Sequence, residues 1–100
     1  MIINLTPHTI RVQDKTFEPS GTISRCREAT LSVGEFEGIK LIRRTYGSVI
    51  DLPDSQPDTL YIVSMLVREA LPERTDLASP GTLIRDENGQ IIGAENLIVN

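Results

Sequence analysis

A chain of 100 residues holds one hydrophobic core and no second, and 39% hydrophobic with 24% charged residues is the composition of a globular domain that folds by itself. The net charge of −4 and a pI near 4.9 repel phosphate backbones and anionic membrane surfaces, which disfavours general nucleic-acid binding and membrane association. One cysteine, one histidine and no apolar run near the roughly 20 residues of a membrane span exclude an internal disulfide, a structural zinc cluster and a transmembrane helix.

The opening MIINLTPH lacks the basic start and apolar stretch of a signal peptide, so a cytoplasmic protein without cofactor or metal is expected. Aromatic residues are 4%, which leaves Ile, Leu and Val to build the core. Residues 2–5 and 9–12 are β-prone runs around Thr6-Pro7-His8, where Pro7 fixes φ and Thr6 can bond the local backbone. This predicts strand, tight connection and strand. A third short strand at 15–18 ends at the breaker Pro19-Ser20-Gly21.

Residues 23–33 alternate, with Ile23, Ala29, Leu31 and Val33 on one face, which predicts a half-buried strand. Arg25 and Arg27 fall on that same face, so burial is expected toward Val33, with the strand leaving the core at its start. A turn at 34–38 and an extended region at 39–50 complete a long hairpin. Two prolines and two aspartates make 52–58 a loop.

The stretch 59–72, TLYIVSMLVREALP, combines a dense apolar run with a helix cap and a terminator. It reads as a buried strand at 60–63, Ser64 as N-cap, and a helix at 65–71 stopped by Pro72. The stripe Leu66, Val67, Ala70 and Leu71 is expected in the core, with Arg68 and Glu69 facing solvent. A competing parse caps the helix at Asp58 and leaves Ser64 inside it. Residues 73–81 are polar and end in Ser79-Pro80-Gly81. Asn88-Gly89, between 82–87 and 90–99, predicts a hairpin with a two-residue type I′ turn, with a bulge at Gly93 in its second strand. The whole is an α+β fold: a small β-rich single domain, 1–100, with antiparallel hairpins and one short central helix.

Three places carry candidate chemistry. At Ser64, a strand-to-helix junction offers free amides to a phosphate or carboxylate; its plain reading is a cap. In the turn 4–8, His8 is the one side chain with an ordinary pKa near neutrality, beside Thr6; the plain reading is satisfaction of the turn backbone. Arg74 offers a fork to an anion, with Asp76 to orient it or take a sugar hydroxyl; the plain reading is a solvated ion pair. Cys26 is a thiol whose spacing to His8 supports no nucleophile pair. Arg25, Arg27, Lys40, Arg43 and Arg44, near Tyr46, form one basic region in an acidic chain. No Walker loop, G-x-G-x-x-G, H-E-x-x-H, G-x-S-x-G or C-x-x-C occurs.

The chain resembles a group of small phage- and prophage-encoded proteins. The resemblance lies in N-L-T-P-H at 4–8, Y-I-V-S at 61–64, R-x-D at 74–76, Pro80-Gly81 and the R-D-E-x-G of 85–89, and it spans most of the chain. It implies a phage context and no particular reaction. Three functions are open: a non-enzymatic protein holding an anionic small molecule such as a nucleotide through Thr6, His8, Ser64, Arg74 and Asp76, with an anti-defence role by analogy; a module docking on a host or phage protein through a strand edge or the arginine-rich hairpin; and a small hydrolase or transferase with His8 as base. A homo-oligomer is compatible with each.

Overall fold

Breakers cut most of the chain into three- and four-residue strands, and the computed structural model, which describes residues 1–100, shows how these are gathered. The elements are β1 (Ile2–Asn4), β2 (Ile10–Val12), β3 (Lys15–Phe17), β4 (Arg25–Phe36), β5 (Ile39–Ile50), β6 (Leu60–Ile62), α1 (Met65–Ala70), β7 (Leu77–Pro80), β8 (Leu83–Arg85), β9 (Ile91–Ala94) and β10 (Leu97–Val99). This is a small, β-rich α+β fold. No helix is long and apolar enough to cross a membrane.

One four-stranded sheet has the order β1-β6-β7-β10, a second the order β3-β2-β9-β8, and β4 with β5 forms a two-stranded arm. Antiparallel hairpins are thus only part of the architecture. β1 runs parallel to β6 with Asn4 beside Ile62, and β6 runs parallel to β7 with Tyr61 beside Leu77. The core lies on this sheet: Leu5, Tyr61, Val63, Val67 and Leu77 pack together, with Ile3, Cys26, Val49, Leu52 and Leu71 around them. β7 reads as loop in sequence because Leu-Ala-Ser-Pro lacks strand formers. Its small Ala78 and Ser79 are nevertheless buried, in the strand that α1 packs against.

The strand–cap–helix reading of 60–71 holds. Ser64 has an extended backbone (φ −67°, ψ 159°) and its Oγ accepts from the Val67 amide at 3.3 Å. Asp58 caps nothing: its φ is +52°, and the residues after it form β6. The expected core stripe is narrower than its periodicity. Only Val67 is buried, while Leu66 and Ala70 are exposed. A helix of fewer than two turns touches the sheet along one side, and Arg68 reaches in instead, donating from Nε to Ser79 Oγ at 2.8 Å.

The type I′ turn expected at Asn88-Gly89 is found instead at the tip of the arm, where the sequence predicts a turn of no stated type. The arm closes on Glu37-Gly38, both with positive φ (51° and 80°), the requirement of a type I′ turn. At Asn88-Gly89 only Gly89 has positive φ, and its amide bonds Asp86 O at 3.0 Å while Asp86 N bonds Gln90 O at 2.9 Å. That is a three-residue loop. Asp86 Oδ1 selects it by accepting from the amides of Asn88 and Gln90. The following strand divides at Glu95-Asn96, so β9 and β10 serve different sheets. Ile84 pairs with Gly93 and Arg85 with Ile91, so Ile92 is the extra residue and the bulge expected in the second strand is there, next to Gly93, where a Cβ would come within 3.1 Å of Arg11 O.

The arm also points the opposite way from the sequence expectation. Its root is the anchored end, with Ser24 buried and Cys26, Val49 and Ile50 half-buried, whereas every residue from Arg27 to Ser48 is exposed. Alternation marks a face that will be covered without saying what covers it. Twelve-residue strands at about 3.3 Å per residue make an arm of about 40 Å, and the radius of gyration is 16.2 Å where about 13 Å is usual for this length.

Candidate functional site

Asn4, Thr6 and His8 form a buried knot. Asn4 Nδ2 donates to His8 O (2.8 Å) and Phe17 O (2.9 Å), and Asn4 Oδ1 accepts from the Thr6 amide (2.9 Å) and hydroxyl (2.7 Å). Pro7 supplies the bend, and Thr6 Oγ1 accepts from the His8 amide at 3.4 Å. Asn4 is 2% exposed and Thr6 9%, so both side chains are spent on structure. His8 enters through its main chain alone; its imidazole is exposed and makes no hydrogen bond.

Parallel pairing of β1 with β6 delivers this turn and Ser64 to the same edge of the sheet. Between them and the arm root lies a cavity of about 230 Å³, lined by Pro7, Ser64 and Leu66 from the body and by Arg25, Cys26, Glu28 and Tyr46 from the arm. The Arg25 side chain makes no hydrogen bond or ion pair, so its guanidinium is free. Glu28 lies 3.7 Å from Arg44 Nε, a half-exposed pair worth well under ~1 kcal/mol. Because α1 is so short, its dipole adds little at Ser64.

Arg74 and Asp76 are not part of this edge. Asp76 immediately precedes β7, and Tyr61 N bonds its carbonyl, so it sits at the start of the parallel strands, about 13 Å of strand away from Ser64. The sequence-based set Thr6, His8, Ser64, Arg74 and Asp76 therefore divides between two ends of the sheet. Arg74 is also occupied: Nε and Nη2 donate to the two Asp76 oxygens at 2.7 and 2.8 Å, and Nη2 reaches Pro53 O at 3.1 Å. The pair is only 21% and 16% exposed and clips the loop before β6 to the base of β7. The hydrogen bond from Arg74 holds the Asp76 carboxyl below its ordinary value of 3.8, against the opposing effect of burial, and the same bond raises Arg74.

Two apolar surfaces escape the sequence-based reading. Partners across the arm share a face, which puts Leu31 (beside Arg43), Leu41 (beside Gly34), Phe36 and Ile39 together, with Val33 as the extra residue of a bulge. All five are 41–66% exposed. The opposite face is mainly polar, carrying Glu28 beside Tyr46, Thr30 beside Arg44 and Glu35 beside Lys40, with Ile42 exposed beside Ser32. On the body, a groove of about 210 Å³ opens between β2, β8 and β9, lined chiefly by Ile10, Pro80, Leu83, Ile91 and Ile92. The period-two pattern of 31–41 was the available signal for the first surface; the second arises where the β8–β9 hairpin meets β2, which lies about 70 residues earlier in the chain.

No protein-family model, curated protein or solved structure matches this chain.

Asn4→Ala strips partners from groups of Thr6, His8 and Phe17 at once and should cost about 2–4 kcal/mol, read as a fall in midpoint on urea unfolding; an unchanged midpoint refutes the knot's role. Asp76→Asn should cost about 1–3 kcal/mol at neutral pH. Since the folded-state pKa of Asp76 is the depressed one, its contribution is present above the unfolded value and is lost as pH falls through the folded value. The gap between wild type and Asp76→Asn should therefore close below about pH 3.8, and a gap independent of pH would rule out the ion pair as its source.

Proposed function

We propose that this chain is a small non-enzymatic accessory protein of phage or prophage origin, acting in the host cytoplasm by binding another protein through its arm. The observation that carries this reading is the exposed apolar face of Leu31, Val33, Phe36, Ile39 and Leu41 on a two-stranded arm. A free-standing pair of strands is marginal in water, and a third layer over its apolar face is what normally stabilises it. A surface kept apolar at some expense to the monomer is an interaction surface. The likeness of the chain's short motifs to phage proteins supplies the setting.

A second reading is favoured by the root cavity. A free Arg25 guanidinium beside Ser64, with the Tyr46 ring on one wall, suits a small anion with an aromatic or sugar portion, such as a nucleotide. In this form the anion-binding hypothesis keeps Ser64 and exchanges Arg74 for Arg25.

Replacing Ile39 with a photo-crosslinking amino acid tests the first reading in cells. Irradiation is expected to give protein adducts at that position and none at exposed Glu73 on the body; equal labelling at both would refute it. For the second, a panel of nucleotides and cyclic dinucleotides should raise the melting temperature of wild type and of Arg74→Ala but not of Arg25→Ala. A panel without any shift ends that reading.

A further inference from the structure

We propose that the protein the arm binds is a second copy of this chain, the arm of each copy lying with its apolar face in the β2–β8–β9 groove of the other. This rests on the preceding reading of the arm as a protein-binding surface and names its occupant. Three observations lead to it.

The first is area. A folded monomer of 11.1 kDa is expected to expose about 5,700 Å². This chain exposes 7108 Å². The excess, roughly 1,400 Å², falls in the range that each partner of an obligate homodimer buries, and exceeds the roughly 800 Å² per partner of a standard interface.

The second is charge. Residues 25–50 hold five of the ten Lys and Arg and three of the fourteen Asp and Glu, a net +2. The remainder of the chain carries −6. Stacking two arms face to face sets +2 against +2 and brings Arg43, the one charge on the apolar face between Ala29 and Phe36, toward its own symmetry mate. The one charged residue lining the groove is Arg11, and the arm tip carries Glu35, Glu37 and Lys40, so laying an arm in the groove opposes no net like charge. Like charges opposed across an interface cost affinity, so the arm-on-body arrangement is the one selected.

The third is fit. The groove is apolar and presents Leu83 (43% exposed), Ile91 (56%) and Ile92 (52%) on strands. The arm tip presents Phe36 and Ile39, each 66% exposed, across a two-residue turn. A reciprocal exchange uses both surfaces twice per dimer and closes with two-fold symmetry, leaving neither surface open for a chain of further copies.

Complementation distinguishes this from every other occupant. Wild type at micromolar concentration should sediment at twice the 11.1 kDa of one copy. Phe36→Glu with Ile39→Glu spoils the arm, Leu83→Glu with Ile91→Glu spoils the groove, and all four positions are exposed, so both variants keep the fold by circular dichroism. Each variant alone should be monomeric. Mixed in equal amounts they should recover a dimer, because one good arm still meets one good groove, at least tenfold weaker than wild type. A groove variant that still dimerises overturns the proposal in favour of arm-on-arm contact. A wild type that stays monomeric overturns it too, and the crosslinks at position 39 then separate the cases: adducts with a different protein leave the binding arm intact and remove only the second copy, whereas no adducts remove both.

Discussion

The buried amide of Asn4 is the constraint on which the body depends. Strands of three residues make too few ladder bonds to hold their neighbours, and six of the ten strands are that short. Asn4 compensates by bonding groups in the Thr6–His8 turn and at the end of β3, while its own carbonyl accepts from Ser20 N at 3.0 Å. Its neighbour Leu5 continues the same function, donating to Ile62 O and accepting from Ser24 N at the entry to the arm. One point in the chain thus ties the parallel sheet, the second sheet and the arm root. No buried side-chain polar atom is left without a partner, and a polar network in a low-dielectric core is rigid under that condition.

That rigidity explains the division of labour in the motif. Pro7 and Thr6 look in sequence like a ligand loop, and the structure uses them to aim main-chain groups at Asn4. What reaches solvent is His8, whose ring is unengaged, and the edge where the turn meets Ser64. The knot holds one wall of the root cavity still, and the other wall belongs to the arm.

Legibility followed locality. Ser64 as a cap, Pro72 as a stop and the breakers at 19–21 and 52–58 act through the nearest few residues, and the sequence declares them. The turn types fell to competition: Asn88-Gly89 has the better type I′ pair, yet the Asp86 side chain captures the amides of Asn88 and Gln90, while Glu37-Gly38 is forced into type I′ by the twist of long flanking strands. β7 was hidden because both its pairings, parallel to β6 and antiparallel to β10, are long-range, so the sheet rather than the residues makes it a strand. Arg74 with Asp76 was visible as a pair but not as a closed one, since the third partner, Pro53 O, is 21 residues away. The direction of the arm was beyond reach for a different reason. Alternation of Leu31, Val33, Ile39 and Leu41 states that a face will be dry, and a monomer sequence is silent on whether its own core or another chain dries it.

Net charge misleads here for the same reason. A value of −4 averages an arm of +2 with a body of −6, and a Debye length of about 8 Å at physiological salt means that a ligand at the tip of an arm about 40 Å long responds to the arm and hardly at all to the body. The whole-chain argument against nucleic-acid and membrane binding therefore applies to the body surface and has no force toward the tip, at Lys40, Arg43 or Arg44. The arm stands clear of the body, every residue from Arg27 to Ser48 being exposed, and that projection is what makes its charge and its apolar face available together.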